Sequence, residues 1–149
     1  MKIGFLKKAV LISLFSLSLL MPAAARTVLV HSPHLGEEPP QELKLSSQSA
    51  EAGIMDVLFN RGCIVFSDST ELDLKGLQMM SQKTDSDYAI DWVIEDYGLK
   101  GRLISTEDMT VLNESRISRS DFNTRYASIE ELYTVLGTRL CEMLVGEQW

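Results

Sequence analysis

The hydrophobic pattern changes period several times along this chain, and each change marks an element. Thr27-Val28-Leu29-Val30-His31 is a short β-branched run that suits a buried strand. Ser32 to Leu45 carries Pro33, Gly36, Pro39 and Pro40 and reads as a loop. From Ser46 to Arg61 the spacing becomes helical, with Ala50, Ile54, Val57, Leu58 and Arg61 on one stripe. Ser46, Ser47 and Ser49 offer N-caps, and Gly62 stands where a left-handed residue closes a helix. Cys63-Ile64-Val65-Phe66 is a second strand. A helix is expected over Asp68 to Thr84, with Leu74, Leu77 and Met80 on a face that Gly76 interrupts.

Asp85-Ser86-Asp87 is a turn, after which the period drops to two. Tyr88, Ile90, Trp92 and Ile94 face one way, and Ala89, Asp91, Val93 and Glu95 face the other. Tyr97 to Gly101 turns the chain into a strand at Arg102–Ser105, and a polar turn leads to another at Thr110–Ser118. These three runs form an antiparallel meander whose outer face is charged. Ser128 with Glu131 makes a capping box for a last helix with the stripe Ile129, Leu132, Leu136, Leu140 and Met143. The order is β-α-β-α-β-β-β-α. It predicts an α/β domain of two layers, helices packed over one mixed sheet.

The beginning of the chain has a different grammar. Lys2, Lys7 and Lys8 precede an apolar run from Ala9 to Met21, then Pro22 and Ala23-Ala24-Ala25. Positive start, apolar middle and small residues describe a secretory signal peptide over 1–25, with cleavage after Ala25. The run has 13 residues, short of the ~20 a spanning helix needs. Residues 26–149 are then a single domain in the periplasm or beyond the cell, with no stable membrane anchor. No cysteine lies near the cleavage site to carry a lipid.

Charge narrows the choice of partners. The chain holds 14 Lys and Arg against 21 Asp and Glu. The leader contains three lysines and no acid, so the remaining 124 residues carry 11 basic and 21 acidic side chains, a net −10. A general nucleic-acid binder needs a basic face to meet phosphates, so that class is set aside.

Candidate chemistry is sparse. His31 and His34, the two histidines, stand near Glu37 and Glu38. Imidazole and carboxylate together suit zinc or copper, but the spacing is not that of a zinc-protease helix. The plain alternative is a strand end and solvated loop side chains. Cys63 and Cys141 are the two cysteines. A mutual disulfide, two buried thiols and an intermolecular or reactive use all remain open. On the helix template Cys141 lies off the apolar stripe, which argues against a simple core position. Gly-x-Ser-x-Gly and Ser-x-x-Lys with its partner motifs are both missing. Asp68, Glu71, Asp73, Asp85, Asp87 and Asp91 contain enough carboxylates for a glycosidase pair, but turns and wet faces account for them equally. Trp92 is expected in the core. Trp149 reads as a frayed end or a partner anchor.

The stretches Thr27–His31, Leu58–Val65, Asp87–Ile90, Gly101–Ser118 and Glu131–Leu144 together resemble a bacterial periplasmic module. It is found in the TolB amino-terminal domain, the curli-secretion lipoprotein and the lipoprotein activators of penicillin-binding proteins. Asp91-Trp92 departs from that pattern, where a glycine is usual. The resemblance implies an envelope adaptor or assembly factor that binds envelope proteins, or its own copies, without catalysis or cofactor. The competing expectation is a small periplasmic metal-dependent hydrolase or ligand-binding protein using the loop around His31 and His34.

Overall fold

The computed structural model describes residues 24–122, 125–126, 128–147 and 149. The expected leader lies almost wholly outside the described residues. Among those residues no helix is long and apolar enough to cross a membrane.

The elements follow the expected order: β1 Thr27–His31, α1 Gln41–Asn60, β2 Ile64–Asp68, α2 Leu74–Lys83, β3 Tyr88–Glu95, β4 Gly98–Ser105, β5 Thr110–Ser118 and α3 Ile129–Val145. The strands form one open sheet in the order β2-β1-β3-β4-β5. β1 pairs parallel with both β2 and β3, while β3-β4-β5 is an antiparallel meander. It is a mixed sheet with three helices on it, as the pattern implies.

Several boundaries differ from the sequence reading: β4 begins at Gly98, inside the expected turn of Tyr97 to Gly101, and two helices start elsewhere than expected. α1 begins directly after Pro40, five residues before the expected start. Gln41 to Leu45 are good helix formers, and a proline is tolerated at the entrance to a helix. The serines proposed as caps therefore lie inside the helix, where the Ser46 hydroxyl donates to the Glu42 carbonyl at 2.8 Å. α2 begins only at Leu74, because Asp73 caps it by accepting from the Gly76 amide at 2.7 Å. Residues ahead of that cap stay in β2 and its loop.

The crossovers place the helices. The chain leaves β1 for β2 on one side, then returns over β1 to β3 on the other. Right-handed crossovers in opposite directions put their helices on opposite faces. α1 joins α3 over the main core, around Val28, Val30, Ile90, Trp92, Leu136 and Leu140. α2 covers part of the reverse face through Leu77, against Leu29, Ala89 and Ile104. The rest of that face is wet and carries the pairs Asp91–Arg102, Lys100–Glu114 and Glu95–Arg116.

α1 and α3 touch backbone to backbone. A Cβ on Gly53 would lie 2.2 Å from the Thr134 carbonyl oxygen, and one on Gly137 would lie 2.0 Å from that of Ala50. This approach widens the buried arc of α3 beyond the expected stripe, of which Leu132, Leu136 and Leu140 are buried as expected. Tyr133, Gly137 and Cys141 face inward, and Met143 is left 47% exposed. Cys141 is thus a core residue, contrary to the helix-template placement. A helix packed on a sheet and on a second helix buries a wider arc than one stripe.

Candidate functional site

β1 and β2 are neighbours whose chains leave toward opposite faces. Their loops diverge, and a crevice opens between them at the carboxyl ends of the strands. In open α/β sheets this is where ligands commonly settle. The crevice has a volume of about 460 Å³ and is lined by Ser32, His34, Gly36, Lys44, Glu51 and Ser69, among others. Glu51 accepts a hydrogen bond from the Ser67 hydroxyl at the end of β2. Lys44 forms no ion pair among the described residues.

Behind the crevice His31 ends β1 with its ring buried. Nδ1 lies 2.9 Å from Asp91 Oδ1, across the β1–β3 pair. Nε2 lies 2.8 Å from the Thr70 carbonyl oxygen, in the β2–α2 loop. The other Asp91 oxygen accepts from Arg102 Nε at 3.1 Å and Nη2 at 2.8 Å. The Asp91 hydrogen bond raises the His31 pKa above its ordinary 6.5; burial opposes this and the Thr70 carbonyl adds to it. Burial alone would raise Asp91, but the hydrogen bonds from His31 and Arg102 outweigh it and hold the carboxyl below its ordinary value.

The two histidines therefore do not converge on an open metal site. Both nitrogens of His31 are engaged within the protein. His34 Nδ1 points to the Ser69 carbonyl at 3.3 Å. Among the described residues no group of three or more His, Cys, Asp or Glu is arranged to hold a metal ion. The plain alternative fits better: His31 is the strand end, with its own ring buried, and His34, Glu37 and Glu38 are exposed loop side chains. Sequence reading missed two of the groups that fix His31: Arg102, which pairs with its partner Asp91, and the Thr70 carbonyl that it meets directly. The first was findable: a hairpin turning at Asp96-Tyr97 places Arg102 opposite Asp91.

Four of the six acidic residues weighed as a hydrolytic pair, Asp68, Asp73, Asp87 and Asp91, have local duties. Asp68 accepts from the Thr70 amide at 3.1 Å and hydroxyl at 2.9 Å. Asp73 caps α2, and Asp87 accepts from the Thr27 amide at 2.9 Å. Cys63 and Cys141 are buried free thiols. Burial raises Cys63 and pushes Cys141 up to about 12.

Trp149 is neither frayed nor fully exposed. Its ring packs against Tyr88 at 4.7 Å between centroids, with the Arg26 guanidinium 5.2 Å from its centre. Arg61 donates to the Gly146 carbonyl and, at 3.3 Å, to that of Trp149. A cation at the carboxyl-terminal cap of α1 thus serves the carboxyl end of α3, which has no basic residue in its last turn.

Among the described residues the sheet has two free edges, β2 and β5. On β2, Ile64 and Phe66 are exposed, and on β5 the first five residues are exposed. On the wet face of β3, β4 and β5 a shallow groove of about 240 Å³ is lined by Asp91, Val93, Lys100, Arg102 and Glu114.

No known protein family matches the chain, and no curated protein does. Solved structures do. PelC from Paraburkholderia phytofirmans, solved as a dodecamer, is 13% identical over 83% of this chain and 92% of its own, with a TM-score of 0.53. A variant of the same protein, also a dodecamer, is 11% identical over 80% and 90%, with a TM-score of 0.50. A lipoprotein from Neisseria meningitidis is 15% identical over 78% and 99%, with a TM-score of 0.47. At these identities the PelC likeness establishes the fold.

Proposed function

We propose that this protein is an exported adaptor or assembly factor of the bacterial envelope, working by protein contact and not by catalysis. The observation that carries this reading is the open sheet with two edges uncovered among the described residues. Edge strands present a row of unpaired backbone groups and pair readily with a partner strand. β5 is a nine-residue edge strand, and β2 adds two exposed apolar side chains. The signal-like leader supports export to the periplasm. The dodecameric state of PelC supports including the protein's own copies among its partners. The net −10 after the leader favours basic or mixed-charge partners.

Light scattering of the purified protein, alone and after capture from envelope extract, tests the reading. It expects an oligomer or a stoichiometric complex. A monomer that retains no envelope protein overturns it.

A second reading, a small-ligand protein, is favoured by the crevice beside His34. Its volume falls within the range of about 300–1,000 Å³ typical of ligand sites. Calorimetric titration with small polar solutes that fails for all of them removes this reading and leaves the first intact.

A further inference from the structure

His31 and His34 meet consecutive backbone carbonyls of one loop, those of Thr70 at 2.8 Å and Ser69 at 3.3 Å. That loop joins β2 to α2, and Ser69 forms a wall of the crevice. The Thr70 carbonyl can only accept, so Nε2 of His31 must carry a proton. Asp91 is ionised by its two hydrogen bonds from Arg102, so its second oxygen also accepts, and Nδ1 must carry a proton. A histidine that donates from both nitrogens is an imidazolium.

We propose that His31 and His34 form a proton-operated clasp on the β2–α2 loop, closed when His31 is charged and released at the Thr70 carbonyl when it is neutral.

The chemistry of release follows from the partners. A neutral imidazole keeps one proton. The charge-assisted bond to Asp91 is the stronger of the two and retains it on Nδ1. Nε2 then aims a lone pair at a carbonyl oxygen 2.8 Å away, and the two repel. His34 needs one ring proton for its bond to Ser69, which either charge state supplies. The hinge of the response is therefore Thr70 and the residues after it, up to the Asp73 cap. The charged groups facing His31 are Asp91 from β3, with Arg102 of β4 behind it, and Asp68 from β2. The raised pKa agrees with this geometry, because both carboxylates favour the imidazolium. This inference does not depend on the adaptor reading.

Imidazole and amide nitrogen spectra of the ¹⁵N-labelled protein, followed from acid to alkaline pH, test the clasp. Expected are a His31 with both nitrogens protonated in mild acid and a midpoint above 6.5. The amide signals of Thr70 and Glu71 should move with that same midpoint. Asp91→Asn should lower the midpoint by about 1–3 units, and the loop signals should follow it down. Arg102→Gln, at a half-exposed side chain, gives an independent reading if the first variant does not fold. It should shift both midpoints upward, since it removes a positive neighbour. His34→Asn should leave the His31 midpoint in place. A singly protonated His31 in mild acid, or loop signals that stay still while His31 titrates, overturns the proposal.

Discussion

Replacing Gly137 by alanine sets two effects of opposite sign against each other. Helix propensity alone favours alanine over glycine inside a helix by about 1 kcal/mol. Packing opposes it. The new Cβ would lie 2.0 Å from the Ala50 carbonyl oxygen, and the nearest atoms are all backbone, so no rotamer change relieves the contact. α1 and α3 must part by about 1 Å to reach even a tight separation. A gap of ~0.5–1 Å forfeits roughly a quarter to a half of each dispersion contact along the interface, and forced overpacking of this kind costs about 1–3 kcal/mol or somewhat more. We expect a net loss of about 2–3 kcal/mol against a total stability of roughly 6–18 kcal/mol for a domain of this length. The melting temperature should fall by about 10 °C, from the size scaling of unfolding entropy. Urea unfolding followed by circular dichroism measures it, with the slope compared to confirm that the midpoint shift is a stability change. Gly76→Ala is the control, because its Cβ would meet the end of the Leu72 side chain at 3.1 Å, not a backbone oxygen of another helix. A Gly137→Ala protein as stable as the parent would refute the reasoning.

Three further outcomes are expected. Stability should peak in mild acid: Asp91 contributes fully above its ordinary 3.8 and loses this as pH falls through its lower folded value. His31 contributes fully below 6.5 and loses this as pH rises through its higher folded value; Asp91→Asn should flatten both limbs of the urea-midpoint profile. A thiol-specific reagent should find little reactivity in the folded protein, where Cys63 and Cys141 are buried and their thiols raised, and two thiols after unfolding. A bridged pair would give none in either state. Arg61→Gln should loosen Gly146 and Trp149 and shift tryptophan emission to the red, at a cost of about 1–2 kcal/mol; unchanged emission would show that Arg61 does not hold that end.

Much of the fold was legible because the period of the sequence is strong where tertiary context is simple. Tyr88–Glu95 alternates cleanly, and β3 occupies those residues with Trp92 buried. Ser128 caps α3 by accepting from the Glu131 amide at 3.1 Å. Misreadings fell where another element decides the outcome. Cys141 looked peripheral on an isolated helix, and only the contact of Gly137 with α1 brings that flank inside. The start of α1 was set by Pro40, a stronger signal than the serines beyond it. The site was less legible. Histidines near carboxylates suggest metal chemistry when only spacing is visible. The carbonyl oxygens of Ser69 and Thr70, which decide what these histidines do, have no side-chain letter to announce them.

The central claim, that this protein works by contact through its sheet edges, is tested most directly by photo-crosslinking in the cells that make it. A photoreactive residue is placed at Phe66 on β2 and at Leu112 on β5, both exposed, with Met79 on α2 as the exposed control. A discrete crosslinked product, with its own copy or one envelope protein, is expected from at least one edge and not from Met79. Edges that capture nothing, beside a folded and exported protein, would contradict the claim.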